Sequence, residues 1–191
     1  LWDSFMVIIK NNYYLYIENT QSIDFDKYKK NSKISFIYRN NSNRNNLLKL
    51  KRFKKKCSSK NFKLYIANDL NLAIKCHADG LYLSSYNKKR FFIKKIDLIG
   101  SAHNHKEINE KQKQGCKTII LSRLFTTNYK NKKNFLGNIR FNLIIKKYKT
   151  KIIALGGINN FNLLKLNLVF SDGLALLSAV KKKPVIANRL F

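Results

Sequence analysis

Lys151-Ile152-Ile153-Ala154-Leu155-Gly156-Gly157-Ile158-Asn159-Asn160 is the stretch that decides the fold. Its first five residues form an almost continuous apolar run, too short for a helix and bounded by glycine, which reads as a β-strand. Hydrophobicity at nearly every position, rather than at alternate ones, marks a strand buried on both faces, as in a parallel sheet. Asn159 or Asn160 can then cap a helix carrying Leu163, Leu164 and Leu166. Gly156 and Gly157 at the strand's C-terminal end leave backbone N–H groups bare, and a helix start behind them adds partial positive charge, so the turn suits a phosphate. Without a ligand, the same two glycines read as a tight strand-to-helix turn.

Seven similar runs surround this one in order: Tyr13 to Ile17, Ile34 to Arg39, Phe62 to Ala67, Gly80 to Ser84, Asp97 to Ala102, Thr118 to Ser122 and Asp172 to Leu176. Each is separated from the next by a stretch long enough for at least a turn of helix. Leu47, Leu50, Phe53 and Cys57 fall at helical spacing on one face, with Lys and Arg on the other. Asn104 followed by Glu107 is a capping-box spacing, and Gly115 stands where that helix should stop. Ser85 to Lys95 is too short for a full helix and is the weakest unit. Strand and helix alternating eight times predict a compact, single-domain (β/α)8 barrel with short helices over residues 1–191, in preference to an open doubly wound sheet. In such a barrel the loop after strand eight, with Ser178 and Ala179, completes a phosphate grip begun by the loop after strand seven.

The chain has 191 residues, below the usual size of this fold, so loops must be short and one or both ends are expected to be missing. Thirty-nine Lys and Arg against ten Asp and Glu give a net charge of +29, which raises nucleic acid as a partner. The basic residues are scattered among many Asn, Ile, Tyr and Phe, the residues of A+T-rich codons. We therefore expect no nucleic-acid partner and ascribe the charge to genome bias, although its field would draw phosphorylated substrates. Cys57, Cys76 and Cys116 share no CxxC spacing and are read as reduced core thiols. The run Phe5 to Ile9 is far shorter than the ~20 apolar residues a membrane span needs. We expect no membrane partner and a cytoplasmic location.

The segments ANDLNLAIKCHADGLYLSSYN (67–87), IGSAHNHKEI (99–108), IIALGGINN (152–160) and DGLALLSAV (172–180) resemble strands three to four, five, seven and eight of the thiamine phosphate synthase/TenI family. The likeness runs from about Tyr13 to Val180. Its most specific element is the ordered set Ala78-Asp79-Gly80, Ser101-Ala102-His103-Asn104, Ala154 to Ile158, and Asp172-Gly173 followed four residues later by Ser178-Ala179. The resemblance implies a transferase joining a pyrimidine methyl pyrophosphate to a phosphorylated thiazole, with Mg²⁺ holding the pyrophosphate that leaves. It implies that Arg39 is the basic pyrophosphate residue after strand two, Ser101 the serine of strand five, and Thr127 and Lys130 the loop after strand six. Gly156, Gly157, Ser178 and Ala179 become the thiazole-phosphate grip.

Departures from the family pattern bear on the metal. Its two magnesium-binding aspartates fall on Asn68 and Asn87, and a lysine after the strand-two arginine falls on Asn41. An amide oxygen without negative charge holds a hard cation much more weakly than a carboxylate. Asp69 could substitute if the loop shifts by one residue, or Lys and Arg, with Lys130 best placed, could neutralise the pyrophosphate directly. The histidine of TenI-type thiazole tautomerases falls on Arg123, which argues against that chemistry. His103, at the edge of strand five, could serve as acid or base, but an orienting or structural role at the substrate site is the preferred reading. Two alternatives stay open: a non-catalytic barrel of the same descent that only binds a phosphorylated ligand, and a basic nucleic-acid-binding protein.

Overall fold

Strands that are apolar at every position need cover on both faces, and a closed parallel ring wrapped by helices supplies it. The computed structural model describes residues 10, 12–28, 33–39, 47–91, 96–127 and 134–177. Its eight strands are β1 (Tyr13–Ile17), β2 (Ile34–Tyr38), β3 (Lys63–Ala67), β4 (Gly80–Leu83), β5 (Asp97–Ala102), β6 (Thr118–Ser122), β7 (Lys151–Leu155) and β8 (Gly173–Leu176). All pair in parallel and in chain order, and β8 returns to β1 with Tyr13 opposite Leu174 and Leu15 opposite Leu176. The expected barrel is the observed fold. Around it lie α1 (Leu47–Ser59), α2 (Leu70–Lys75), α3 (His105–Lys113) and α4 (Gly137–Ile145).

Side-chain alternation divides the apolar residues into two layers. Tyr14, Tyr16, Ile37, Tyr65, Tyr82, Ile99, Ile120 and Ile153 fill the lumen. Their neighbours, such as Leu15, Phe36, Leu64, Leu81, Ile119 and Leu174, pack outward under the helices. Leu50, Phe53 and Cys57 of α1 are buried as their spacing predicts, and all three cysteines are buried and free. Burial pushes the Cys57 thiol up to about 12 and Cys116 up to about 11, so neither is a thiolate at neutral pH.

Two aspartates immediately before strands do the same structural work. Asp79, before β4, accepts the Leu64 N–H of β3 at 2.7 Å, and Asp172, before β8, accepts the Ile152 N–H of β7 at 2.8 Å. Each carboxylate thus ties one strand's N-terminal end to the next strand. Lys54 of α1 holds Asp79 in place at 2.7 Å.

The segment after β7 departs from the expected helix. It forms two 3-10 pieces, Asn160–Asn162 and Leu164–Leu168, with Asn159 as the cap. Leu163, Leu166 and Val169 are its buried residues, a repeat of three, while Phe161, Leu164 and Leu168 are exposed. A period of three fits the 3-10 geometry and not the α-helix. As expected, the described residues after β4, 84–91, contain no helix. That loop is held instead from α3: Lys111 is fully buried, and its Nζ donates to the Asn87 carbonyl at 2.7 Å and to Gln114 Oε1 at 2.9 Å. Gly100 makes the room, because a Cβ there would lie 2.8 Å from the Lys111 stem.

Candidate active site

In a barrel of this kind the loops after the strands share one mouth, so chain order alone brings the expected residues to a common face. Arg39 follows β2, Asn68 follows β3, Asn87 lies in the loop after β4, Ser101 lies in β5 next to its last residue, and His103 follows it. Thr127 lies after β6, and Gly156 and Gly157 follow β7. Lys130, Ser178 and Ala179, like Asn41, lie outside the described residues.

Below this mouth the lumen is closed by an aromatic pair. Tyr16 of β1 and Tyr82 of β4 meet edge to face across the barrel, 5.5 Å between ring centroids, with a hydroxyl-to-hydroxyl hydrogen bond of 3.1 Å. Burial, together with the adjacent Tyr82, pushes Tyr16 well above the usual phenol range, while the Arg39 guanidinium nearby pulls the other way. Arg39 is therefore within electrostatic reach of this floor. Ser101, buried, shares the inward side of β5 with Ile99.

The two glycines are left-handed, at φ +106° and +70°, a region open to glycine at no steric cost. A Cβ on Gly157 would fall 2.3 Å from the Thr126 carbonyl oxygen, and one on Gly156 would fall 2.6 Å from Arg123 Cγ. The loop after β6 thus packs directly on this turn, and Arg123 and Thr127 come to its edge with Nη1 to Oγ1 at 3.5 Å. The backbone N–H groups of Gly156, Gly157 and Ile158 donate to no described residue. The Gly157 carbonyl, by contrast, accepts from Asn162 at 2.7 Å and Asn159 at 3.3 Å, which fixes the turn. The helix dipole expected behind these amides is reduced to that of a three-residue 3-10 turn.

The donor set after β3 and β4 does not suit a divalent metal. Asn68, at φ +59°, turns its Oδ1 onto the Ser84 N–H, the Ser84 hydroxyl and Asn87 Nδ2, each at 3.0 Å. Its Nδ2 donates to the Tyr86 hydroxyl at 3.2 Å, and Asn87 Oδ1 accepts the Lys89 N–H at 2.9 Å. Asp69 Oδ1 takes the Leu72 N–H at 2.8 Å as the cap of α2. The amide oxygens are occupied, and no group of three His, Cys, Asp or Glu side chains among the described residues is placed to hold a metal. These residues do not fit Mg²⁺, which demands several hard oxygen ligands.

His103 is not alone at the edge of β5. Glu107 Oε2 accepts its N–H at 2.8 Å and lies 2.9 Å from its Nδ1. Sequence reasoning missed Tyr16, Tyr82, Ser84, Tyr86 and Lys111. The inward register of Tyr16 and Tyr82 was the one usable signal, since a lysine in a basic helix reads as solvated.

Fold and mouth together define a (β/α)8 barrel with amides after β7 that donate to no described residue and an amide pair, rather than a carboxylate pair, after β3 and β4. A family model described as thiamine monophosphate synthase matches residues 30–180, and the chain belongs to that family. A thiamine-phosphate synthase of Prochlorococcus marinus subsp. pastoris is 31% identical over 114 residues, covering 57% of this chain and 32% of that protein. One from Methanobrevibacter smithii is 28% identical over 135 residues, 67% of this chain and 65% of that protein. The matches thus span from about a third to two thirds of the length of these relatives. Among solved structures, thiamine phosphate pyrophosphorylase from Pyrococcus furiosus matches with a TM-score of 0.73 at 16% identity, over 94% of this chain and 93% of that one, a likeness of fold. No helix among the described residues is long and apolar enough to cross a membrane.

Proposed function

We propose that the chain is a thiamine phosphate synthase-type transferase that couples a pyrimidine methyl pyrophosphate to a thiazole phosphate. The observation that carries this reading is the set of N–H groups at Gly156, Gly157 and Ile158, in the turn after β7, that donate to no described residue. Three such amides suit a phosphate oxygen cluster, and Ser178 and Ala179 are assigned the other half of the grip. The bond between the pyrimidine methylene and the pyrophosphate oxygen breaks, the electron pair leaves on pyrophosphate, and the thiazole nitrogen attacks the resulting cation. Such chemistry depends on stabilising the departing charge and orienting the acceptor. Arg39 and Lys130 are assigned to the pyrophosphate, and Ser101, Thr127 and His103 to orientation. A cytoplasmic location belongs to the same reading, supported by substrates whose phosphate charges keep them from crossing a membrane unaided.

The Asn68–Asn87 pair favours a second reading, a barrel that binds thiazole phosphate without turnover. An assay with both substrates and Mg²⁺ separates the two. Formation of thiamine phosphate and pyrophosphate supports the synthase, and saturable thiazole phosphate binding with no product at high protein concentration supports the binding barrel. Absence of both sinks the proposal. Rescue of a thiamine-requiring strain is the corresponding test in cells.

A further inference from the structure

The opposite, N-terminal mouth of the barrel holds a cavity of about 240 Å³ that the proposed reaction does not use. Strand alternation dictates what faces it. Lys63 shares the inward side of β3 with Tyr65, and Lys151 shares the inward side of β7 with Ile153 and Leu155. In a closed ring of eight strands, β3 and β7 stand on opposite walls, so the two ammonium groups approach the same space from both sides. Lys117, just before β6, lines the cavity as well. The ammonium groups of these three lysines make no hydrogen bond or ion pair with any described residue.

The acid among the described lining residues, Asp97, already accepts the Tyr65 hydroxyl at 2.8 Å. Three cations around one recess outnumber it, and a recess with low-dielectric walls focuses their field. Tyr14 adds a neutral hydroxyl at the cavity wall, since burial pushes its pKa up to about 12. At about 30 Å³ for each water, the space equals roughly eight water molecules, room for two linked phosphoryl groups.

We propose that this cavity is a second anion site, separate from the C-terminal mouth, that takes a compact polyvalent phosphate between Lys63, Lys117 and Lys151. The site stands whether or not the chain is a synthase. Titration calorimetry with inorganic pyrophosphate at fixed ionic strength tests it on the whole chain. The Lys63→Gln/Lys151→Gln double variant removes both charges while keeping a polar side chain with part of each aliphatic stem, and should lose about tenfold or more in affinity for one class of sites, as expected when two charge-assisted contacts go. Arg39→Gln, at the other mouth, should leave that class unchanged. If the double variant melts below the wild type without anion, Lys151→Gln alone is read in its place. Binding by the lysine variant equal to that of the wild type overturns the proposal. So does equal binding of chloride at the same ionic strength, which would mean general screening of a basic surface.

Discussion

Asp172 Oδ2 accepts the backbone N–H of Ile152 at 2.8 Å and so joins the entry of β8 to the entry of β7. Asp79 does the same between β4 and β3, with Leu64 as donor. Both aspartates belong to the DG pairs that help mark the family in the sequence, and this hydrogen bond supplies a structural reason for an acid there.

Replacing Asp172 by Ala leaves the Ile152 N–H without its acceptor in a partly buried setting, which costs about 1–3 kcal/mol. In a chain of this size the melting temperature should fall by roughly 2–4 °C for each kcal/mol. Differential scanning calorimetry of Asp172→Ala and Asp79→Ala checks it. Asp79→Ala should cost more, because Lys54 loses its partner as well. An unchanged melt in both variants would show that the ties contribute nothing.

Glu107 carries a pH dependence. Burial alone would raise its carboxyl, but the His103 side chain, the His103 N–H and the Asn104 amide together outweigh it and hold it below its ordinary value of 4.5. A depressed acid stabilises the folded state fully above 4.5 and loses that contribution as pH falls through the lowered value. The gap in melting temperature between wild type and Glu107→Gln should therefore be widest above pH 4.5 and close as the buffer is acidified below it. A gap that widens toward acid would reverse the sign and the explanation.

Much of the barrel was legible because burial on both faces leaves an unambiguous mark. Every strand lies within a residue of its apolar run, and the Leu50, Phe53 and Cys57 stripe falls inside α1. The segment after β7 misled because Leu163, Leu164 and Leu166 fit a helical face, and only the burial of Val169 exposes the repeat of three. Lys111 was illegible for another reason: its burial depends on the missing side chain of Gly100, on a different element. At the mouth, the order of the loops could be read from the motifs. Whether Asn68 points at a ligand or at its neighbours could not, since that rests on three hydrogen bonds formed across 16 to 19 residues.

Asn68 and Asn87 supply a test of the metal. With Asp at both positions, two carboxylates would face each other where amide and oxygen now meet at 3.0 Å, and like charges so close raise one of the two pKa values. Asn68→Asp/Asn87→Asp should melt lower than the wild type in chelator, by about 1–3 kcal/mol of lost bonding and added repulsion. Mn²⁺ or Mg²⁺ should restore it, and paramagnetic Mn²⁺ should be bound by the variant and not by the wild type. Tight Mn²⁺ binding at these positions in the wild type would contradict the misfit described above. Gained synthase turnover in the variant would identify metal charge as the missing ingredient.

Gly157 couples the phosphate turn to the loop after β6. An added methyl would sit 2.3 Å from the Thr126 carbonyl oxygen and 2.5 Å from the Phe125 backbone, at a φ of +70° that costs an alanine about 1–2 kcal/mol before any clash. Overpacking adds about 1–3 kcal/mol. Gly157→Ala should thus destabilise the chain by roughly 2–5 kcal/mol in a denaturant titration. It should also weaken thiazole phosphate binding more than the stability loss explains, because the loop can yield only by moving away from the amides it now adjoins. The comparison is Gly156→Ala, where the obstructing atom, Arg123 Cγ, belongs to a flexible side chain and the clash is cheaper to relieve. If Gly156→Ala proved the more damaging of the two, the packing of the loop on Gly157 would not be what shapes this turn.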